Sequence, residues 1–459
     1  MVFSARLEQS TCGWAFETSE GRASHSGSEN RLPHPRSTSE LCRKKVFHPV
    51  QAFSFKKTCY GVYLLLWVLA SGLHHASAAL NSCSRDTGTG GAFLSAGDSQ
   101  QVSIPTVQVQ TDIPSLYKIL DGFFPVGAAI WKGDITGPHS ELLRKHFNSI
   151  TTENAMKMGV LQPSEGTFDF TTADELVRFA RANLMLVRGH TLVWHKQNPP
   201  WVFKDSGGNA LRPTRENRAL LLGRLEKHIR AVVSHYKGEV YAWDVVNEAV
   251  DPEQPDGFRR SPWLEIIGPE YIETAFRIAH EASPGAKLYI NEYDTTNQAK
   301  RAFLLKLVRD LKRRGVPIDG VGHQMHNRVD YPSTAAITET LEMFSELGVG
   351  NQITELDISV YRNSTDSYPA VPEGVIFEQG YRYRELFQTL RRLKGKVSSV
   401  TFWGFADDHT WLKSFPIVRR DLPLLFDEQL QAKPAYWGIV DPSRLPTAAG
   451  VRQRNGAAR

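Results

Sequence analysis

Between residues 115 and 441 the chain alternates short β-rich runs with amphipathic stretches, and no other feature constrains its fold as tightly. The β-rich runs are Pro125–Ile130, Ser149–Glu153, Met185–Trp194, Val240–Glu248, Lys287–Tyr293, Ile318–His326, Gln352–Val360 and Val400–Phe405. The intervening segments carry helical periodicity. Leu142, Leu143 and Phe147 share one face, with Arg144 and Lys145 off it. Within Leu220–Tyr236, Leu221, Leu225, Ile229 and Val232 recur at the spacing of one helix face, and Phe303–Arg313 repeats the pattern. Eight such pairs predict an α/β fold, the (β/α)8 TIM barrel, with enlarged loops. The rival is a doubly wound open sheet. That fold usually opens on a Gly-rich phosphate loop after an early strand, and none is found here.

The strand ends are the informative positions. An apolar strand has no packing reason to end polar every time, yet these do. The second ends Thr151-Thr152-Glu153-Asn154, with Lys157 just beyond. The third ends His190-Thr191-Leu192-Val193-Trp194-His195, the fourth in Asn247-Glu248, and the fifth in Asn291-Glu292-Tyr293-Asp294. The sixth supplies Gln324 and His326, and the seventh Glu355 and Asp357. The eighth supplies Trp403, and its following loop Asp408 and Trp411. In a βα barrel such tips converge on one polar cleft.

Two carboxyls in that cleft, Glu248 and Glu355, suit glycosidic bond cleavage. The reaction needs a proton for the leaving oxygen and stabilisation of an oxocarbenium-like centre. Glu248 is read as the acid/base. Burial beside Trp194 and the negative charge of Glu355 are expected to raise its pKa. Glu355 is read as the nucleophile, kept ionised by hydrogen bonds with His326 as nearest donor, and Asp357 as the group orienting that imidazole. Asn247 is placed to bond a sugar 2-hydroxyl. A carboxyl separation of about 5–5.5 Å is expected for retention. His190 and His195 are an odd number of residues apart, which puts them on opposite faces of one strand and argues against a metal site. No cofactor is expected.

Charged residues make up 22% and hydrophobic residues 41%, within the range of soluble globular enzymes. Of the net charge of +5, residues 1–110 hold 10 Lys+Arg against 7 Asp+Glu, so no basic stripe remains for nucleic acid. Cys12, Cys42, Cys59 and Cys83 all precede residue 110, which excludes a disulfide framework or cysteine-based metal site in the barrel. Residues 1–55 read as a disordered or mis-annotated leader. Lys56-Lys57, an apolar stretch from Tyr60 to Leu73 and Ala76-Ser77-Ala78 make residues 56–78 resemble a secretory signal, though far from Met1. An uncleaved anchor is the rival, and Leu80-Asn81-Ser82-Cys83 faintly resembles a lipid-attachment site. Residues 79–114 read as a linker, 115–441 as the catalytic barrel and 442–459 as a flexible tail. With the signal cleaved, the protein is expected to be secreted or periplasmic, monomeric and without stable membrane association. Asn363-Ser364-Thr365 is a glycosylation sequon.

These segments resemble glycoside hydrolase family 10, the endo-β-1,4-xylanases. The resemblance rests on FNSITTENAMKMGVLQPSEGTFDF (147–170), RGHTLVWH (188–195), YAWDVVNEA (241–249), VGHQMH (321–326), ITELDIS (353–359), TFWGFADDHTWL (401–412) and PLLFDEQLQAKPAYWGI (423–439). It implies Glu248 as acid/base and Glu355 as nucleophile. It implies Asn154, Lys157, His190, Asn247, Gln324, Trp403 and Trp411 as walls around the cleaved bond, with Trp194 and His326 supporting the carboxyls. The implied reaction is hydrolysis of internal bonds in the polysaccharide xylan with retention, without metal or cofactor. Two departures, Lys196-Gln197-Asn198-Pro199 and Asn291-Glu292-Tyr293-Asp294, bear on substrate preference. The alternatives are a β-1,4-glucanase or aryl-β-glycosidase on the same barrel, and a non-catalytic carbohydrate-binding protein, which the presence of both glutamates argues against.

Overall fold

The computed structural model describes residues 108–447. The leader (1–55), the signal-like segment (56–78), all four cysteines, most of the linker and the end of the tail lie outside them. The strands are β1 (Val126–Ile130), β2 (Ser149–Thr152), β3 (Leu186–Trp194), β4 (Val240–Asn247), β5 (Lys287–Glu292), β6 (Gly320–His323), β7 (His326–Arg328), β8 (Gly350–Ser359) and β9 (Val397–Phe402). All pairings between them are parallel, and β1–β9 and β6–β8 contacts close an eight-strand ring with β7 lying along the end of β8. One longer helix follows each position in the ring: α1 (Gly137–His146), α2 (Thr171–Ala182), α3 (Arg215–His235), α4 (Glu270–Ala282), α5 (Gln298–Arg313), α6 (Thr334–Glu346), α7 (Glu373–Arg392) and α8 (Pro434–Val440). This is the (β/α)8 barrel.

The periodic apolar positions face the sheet as expected. Leu221, Leu225, Ile229 and Val232 of α3 are fully buried, as are Leu142 and Leu143 of α1 and Leu304 and Val308 of α5. Three of these helices start on side-chain caps. Thr214 accepts from the Asn217 N–H, Asn297 from those of Ala299 and Lys300, and Ser333 from that of Ala336. Each such cap contributes about 1 kcal/mol. Inside the ring, Trp243 packs where Gly189 of the neighbouring strand has no side chain; a Cβ there would stand 2.2 Å from the indole.

The expected sixth strand, Ile318–His326, is divided. Met325 takes a left-handed backbone (φ 58°), so the run breaks after β6 and resumes as β7, which pairs only with the end of β8. The eighth begins at Val397, three residues early, and Trp403 stands just past its end. Residues 108–114, read as the end of a linker, pack on the barrel instead. Val109 and Ile113 are buried, and the Gln110 side chain accepts from the Ala432 N–H at 2.9 Å. At the other end, Pro442–Arg444 form a short 3-10 turn and Leu445 is buried. Among the described residues no helix is long and apolar enough to cross a membrane.

Candidate active site

Glu355 projects from the centre of β8 and is 5% exposed. Two donors hold its carboxylate. The Asn291 amide donates to Oε1 at 2.7 Å, and His326 Nε2 lies 3.2 Å from Oε2. The other His326 nitrogen, Nδ1, is 2.9 Å from Asp357 Oδ2, which also accepts from the Trp411 indole at 2.9 Å. Burial opposes charge on this imidazole, but the Asp357 and Glu355 carboxylates outweigh it and push His326 up to about 10. His326 is therefore an imidazolium across the neutral range, donating to both carboxylates.

Glu248 stands one residue past β4 in the left-handed region, φ 55°. Its own N–H donates to the Asn291 carbonyl at 2.9 Å, and its carbonyl accepts from Arg259 Nε at 2.8 Å. These bonds hold a backbone that a non-glycine residue seldom adopts and that is found at functional sites. Its carboxyl accepts from Gln324 at 3.2 Å and, more weakly, from Asn247 at 3.4 Å. The Asn247 oxygen is occupied by the Asn291 and Gln324 amides at 2.9 and 3.3 Å. Its NH2 keeps one hydrogen beyond the weak bond to Glu248. Asn291 and Gln324 thereby join the two carboxyls through one amide network.

The expected rise in the Glu248 pKa is not found. Burial does push it up, but the nearby Trp194 indole N–H, the His195 charge, the Gln324 amide and Lys196 together hold the carboxyl below its usual range. The indole N–H lies close to Glu248 without making a well-formed hydrogen bond. His195, which burial lowers to about 4, is neutral above that pH.

Lys157 is buried, its ammonium 2.9 Å from Asn154 Oδ1 and 5.0 and 6.0 Å above the Trp194 and Trp403 rings. Burial lowers its pKa, against the pull of Glu355, Glu153 and Glu248. His190 bonds Asp244 at 2.9 Å and comes within 4.0 Å of Glu355. Asp244 in turn is locked to Arg188, both fully buried. Trp403 meets the His190 ring edge-on at 5.2 Å, and Trp411 lies 4.8 Å from the His326 ring. Asn291, His326 and His190 thus approach Glu355, and Asn247 and Gln324 approach Glu248, whereas of the other strand-end residues Asp294 accepts from Tyr331 and Asp408 pairs with His139.

The structure adds residues that the sequence reading did not assign. Asn291 contacts Glu355 directly; its place at a polar strand end was the available signal. His195 stands 3.8 Å from Glu248, on the same side as His190 rather than the opposite one. The register between β3 and β4 shifts between His190 and Val193, and His195 lies beyond the last strand residue, so strict alternation does not carry across. Glu153 faces Lys157 and bonds His409 at 2.9 Å. Among the described residues no group of three or more His, Cys, Asp or Glu is arranged to hold a metal ion.

The model of glycosyl hydrolase family 10 matches residues 115–442. A thermostable celloxylanase of Thermoclostridium stercorarium is 48% identical over 73% of this chain and 89% of its own length. Endo-1,4-beta-xylanase A of Caldicellulosiruptor sp. (strain Rt8B.4) is 46% identical over 73% of this chain, which spans only 48% of that longer protein. Among solved structures, xylanase B from Clostridium stercorarium F9 superposes with a TM-score of 0.71 at 48% identity, covering 72% of this chain and 100% of that one.

Proposed function

The chain belongs to glycosyl hydrolase family 10, and from that membership we infer that it is an endo-β-1,4-xylanase, hydrolysing internal bonds of xylan with retention. The observation that carries the mechanism is the setting of Glu355, held between the buried Asn291 amide and the His326 imidazolium. In the first step Glu355 attacks the anomeric carbon while Glu248 gives its proton to the departing glycosidic oxygen. A glycosyl ester on Glu355 results. In the second, Glu248 takes a proton from water, whose oxygen attacks the same carbon and frees Glu355. Glu248 must hold its proton for the first step. A sugar seated over it deepens its burial, which favours the neutral carboxyl, and His195 adds no opposing charge above about pH 4. Lys157, Asn154, His190, Asn247 and Gln324 offer donors for sugar hydroxyls, and Trp403 and Trp411 offer faces for the rings.

The test is hydrolysis of arabinoxylan and of carboxymethyl-cellulose, with a proton NMR spectrum of the first product. Early β-anomer from xylan is expected. Early α-anomer overturns the role of Glu355. Activity on cellulose is worth measuring because one relative is called a celloxylanase. A glucose ring carries a 6-hydroxymethyl group that Trp403 and Trp411 would crowd, and xylose does not, so xylan is the expected substrate. We propose further that the protein is exported, a reading supported by the signal-like residues 56–78 and testable by N-terminal sequencing of the mature protein.

A further inference from the structure

Trp131 follows β1 and is 47% exposed, the one exposed tryptophan among the described residues. A scattered surface hydrophobe is ordinary, but this ring is held in place. His409 stacks on it, centroids 5.1 Å apart and planes within 21°. The indole also lies against Gly133, where a Cβ would stand 2.4 Å from the ring. The Trp131 backbone N–H is fixed by the Asp134 carboxylate at 2.9 Å. About half of the residue's surface stays open.

The ring is continuous with the cleft. His409 Nε2 is 2.9 Å from Glu153 Oε2, and the Glu153 backbone N–H donates to Ile130, the residue before Trp131, at 2.9 Å. Glu153 precedes Asn154, whose side chain carries the Lys157 ammonium. A path of contacts therefore runs from the buried lysine near the two catalytic glutamates out to an open indole on the β1–β9 side of the barrel mouth. A β-1,4-linked xylose chain fits such a path. It is uncharged, and each ring lacks a 6-hydroxymethyl group, so its C–H face lies flat on an aromatic surface.

We propose that Trp131, backed by His409, is an additional sugar-binding platform that holds a xylose ring of the polymer beyond those contacted by Asn154 and Lys157. The proposal rests on the xylanase reading above. It predicts a dependence on chain length. The probes are unbranched β-1,4-xylo-oligosaccharides from the disaccharide to the hexasaccharide, with kcat/KM measured for the wild type, Trp131→Ala and Trp131→Phe. Trp131→Ala is expected to match the wild type on the shortest chain. On the longer chains it should lose about threefold to tenfold, the worth of one aromatic contact. Trp131→Phe should recover part of the loss. An equal loss at every length marks a merely structural role, and no loss at any length marks an idle ring; either overturns the proposal. Trp131→Phe, which keeps a ring on Gly133 and His409, guards against a folding defect in the alanine variant. A wild type inactive on every chain and on xylan overturns the xylanase reading itself, and the platform with it.

Discussion

Replacing His326 with glutamine removes the one cation shared by two buried carboxylates. Glu355 and Asp357 are 5% and 0% exposed, and His326 lies 3.2 and 2.9 Å from them. Stripping a buried charge pair of one partner costs about 3–5 kcal/mol. The pKa leads to the same range. The folded chain keeps the His326 proton up to about pH 10, whereas an unfolded histidine releases it near 6.5, a difference of about 5 kcal/mol at its upper limit. The sign follows from the raised value. Between those two pH values the folded chain binds more protons than the unfolded one, so stability falls as pH rises. The contribution is complete below about pH 6.5 and is lost on approaching pH 10. Urea unfolding of both proteins at pH 6 and pH 9.5 tests this. His326→Gln should be less stable than the wild type by about 3–5 kcal/mol at pH 6, and the gap should shrink to about 1 kcal/mol at pH 9.5. The difference between the proteins is the readout, because other groups tilt both curves alike. A gap of the same size at both pH values would refute the imidazolium, and no gap at pH 6 would refute the pairing.

Glu355→Ala should lose hydrolysis of xylan by several orders of magnitude, on the order of 10⁴-fold or more, with an unchanged circular dichroism spectrum; normal activity removes it as nucleophile. Glu248→Ala should lose far more activity on xylan than on aryl xylosides with acidic phenol leaving groups, which depart without a proton; equal losses on both would contradict the acid role. Asn291→Ala deletes a 2.7 Å bond to the Glu355 carboxylate, and kcat/KM should drop by about 10- to 100-fold, as for a hydrogen bond to a charged group. Arg188→Met leaves Asp244 buried without its guanidinium and should lower stability by about 3–5 kcal/mol in thermal or urea unfolding.

Much of the barrel was legible because its signals are local. Leu221, Leu225, Ile229 and Val232 announce the buried face of α3 through spacing alone, and the polar endings of the β-rich runs mark the mouth of the barrel. Strand ends were less legible. The break at Met325 and the early start of β9 depend on which neighbour each backbone group pairs with, and that partner lies dozens of residues away. Residues 108–114 carry a linker-like composition, yet Val109 and Ile113 find apolar surface on the barrel that composition cannot reveal.

By itself the sequence determined the fold class through its alternating periodicities, pointed to the two glutamates through the polar endings of its β-rich runs, and reached most of the side chains around them through the motifs it shares with glycoside hydrolase family 10. It reached His326 as the donor to Glu355, and Asp357 as the group that orients His326, because a buried nucleophilic carboxylate needs a hydrogen-bond donor and that donor an anchor. Tertiary structure alone decided the rest. Asn291 touches Glu355 only because β5 and β8 are brought to the two sides of β6 in the closed ring. His195 joins Glu248 because a register shift undoes simple alternation. The Glu248 pKa moves down rather than up because it reflects every charge and dipole around the carboxyl, contributed by segments far apart in the chain. Trp131 gains its support from His409, 278 residues later, when the barrel closes β1 against β9. A strand records which way a side chain points, whereas what it meets there is known only once the ring is closed.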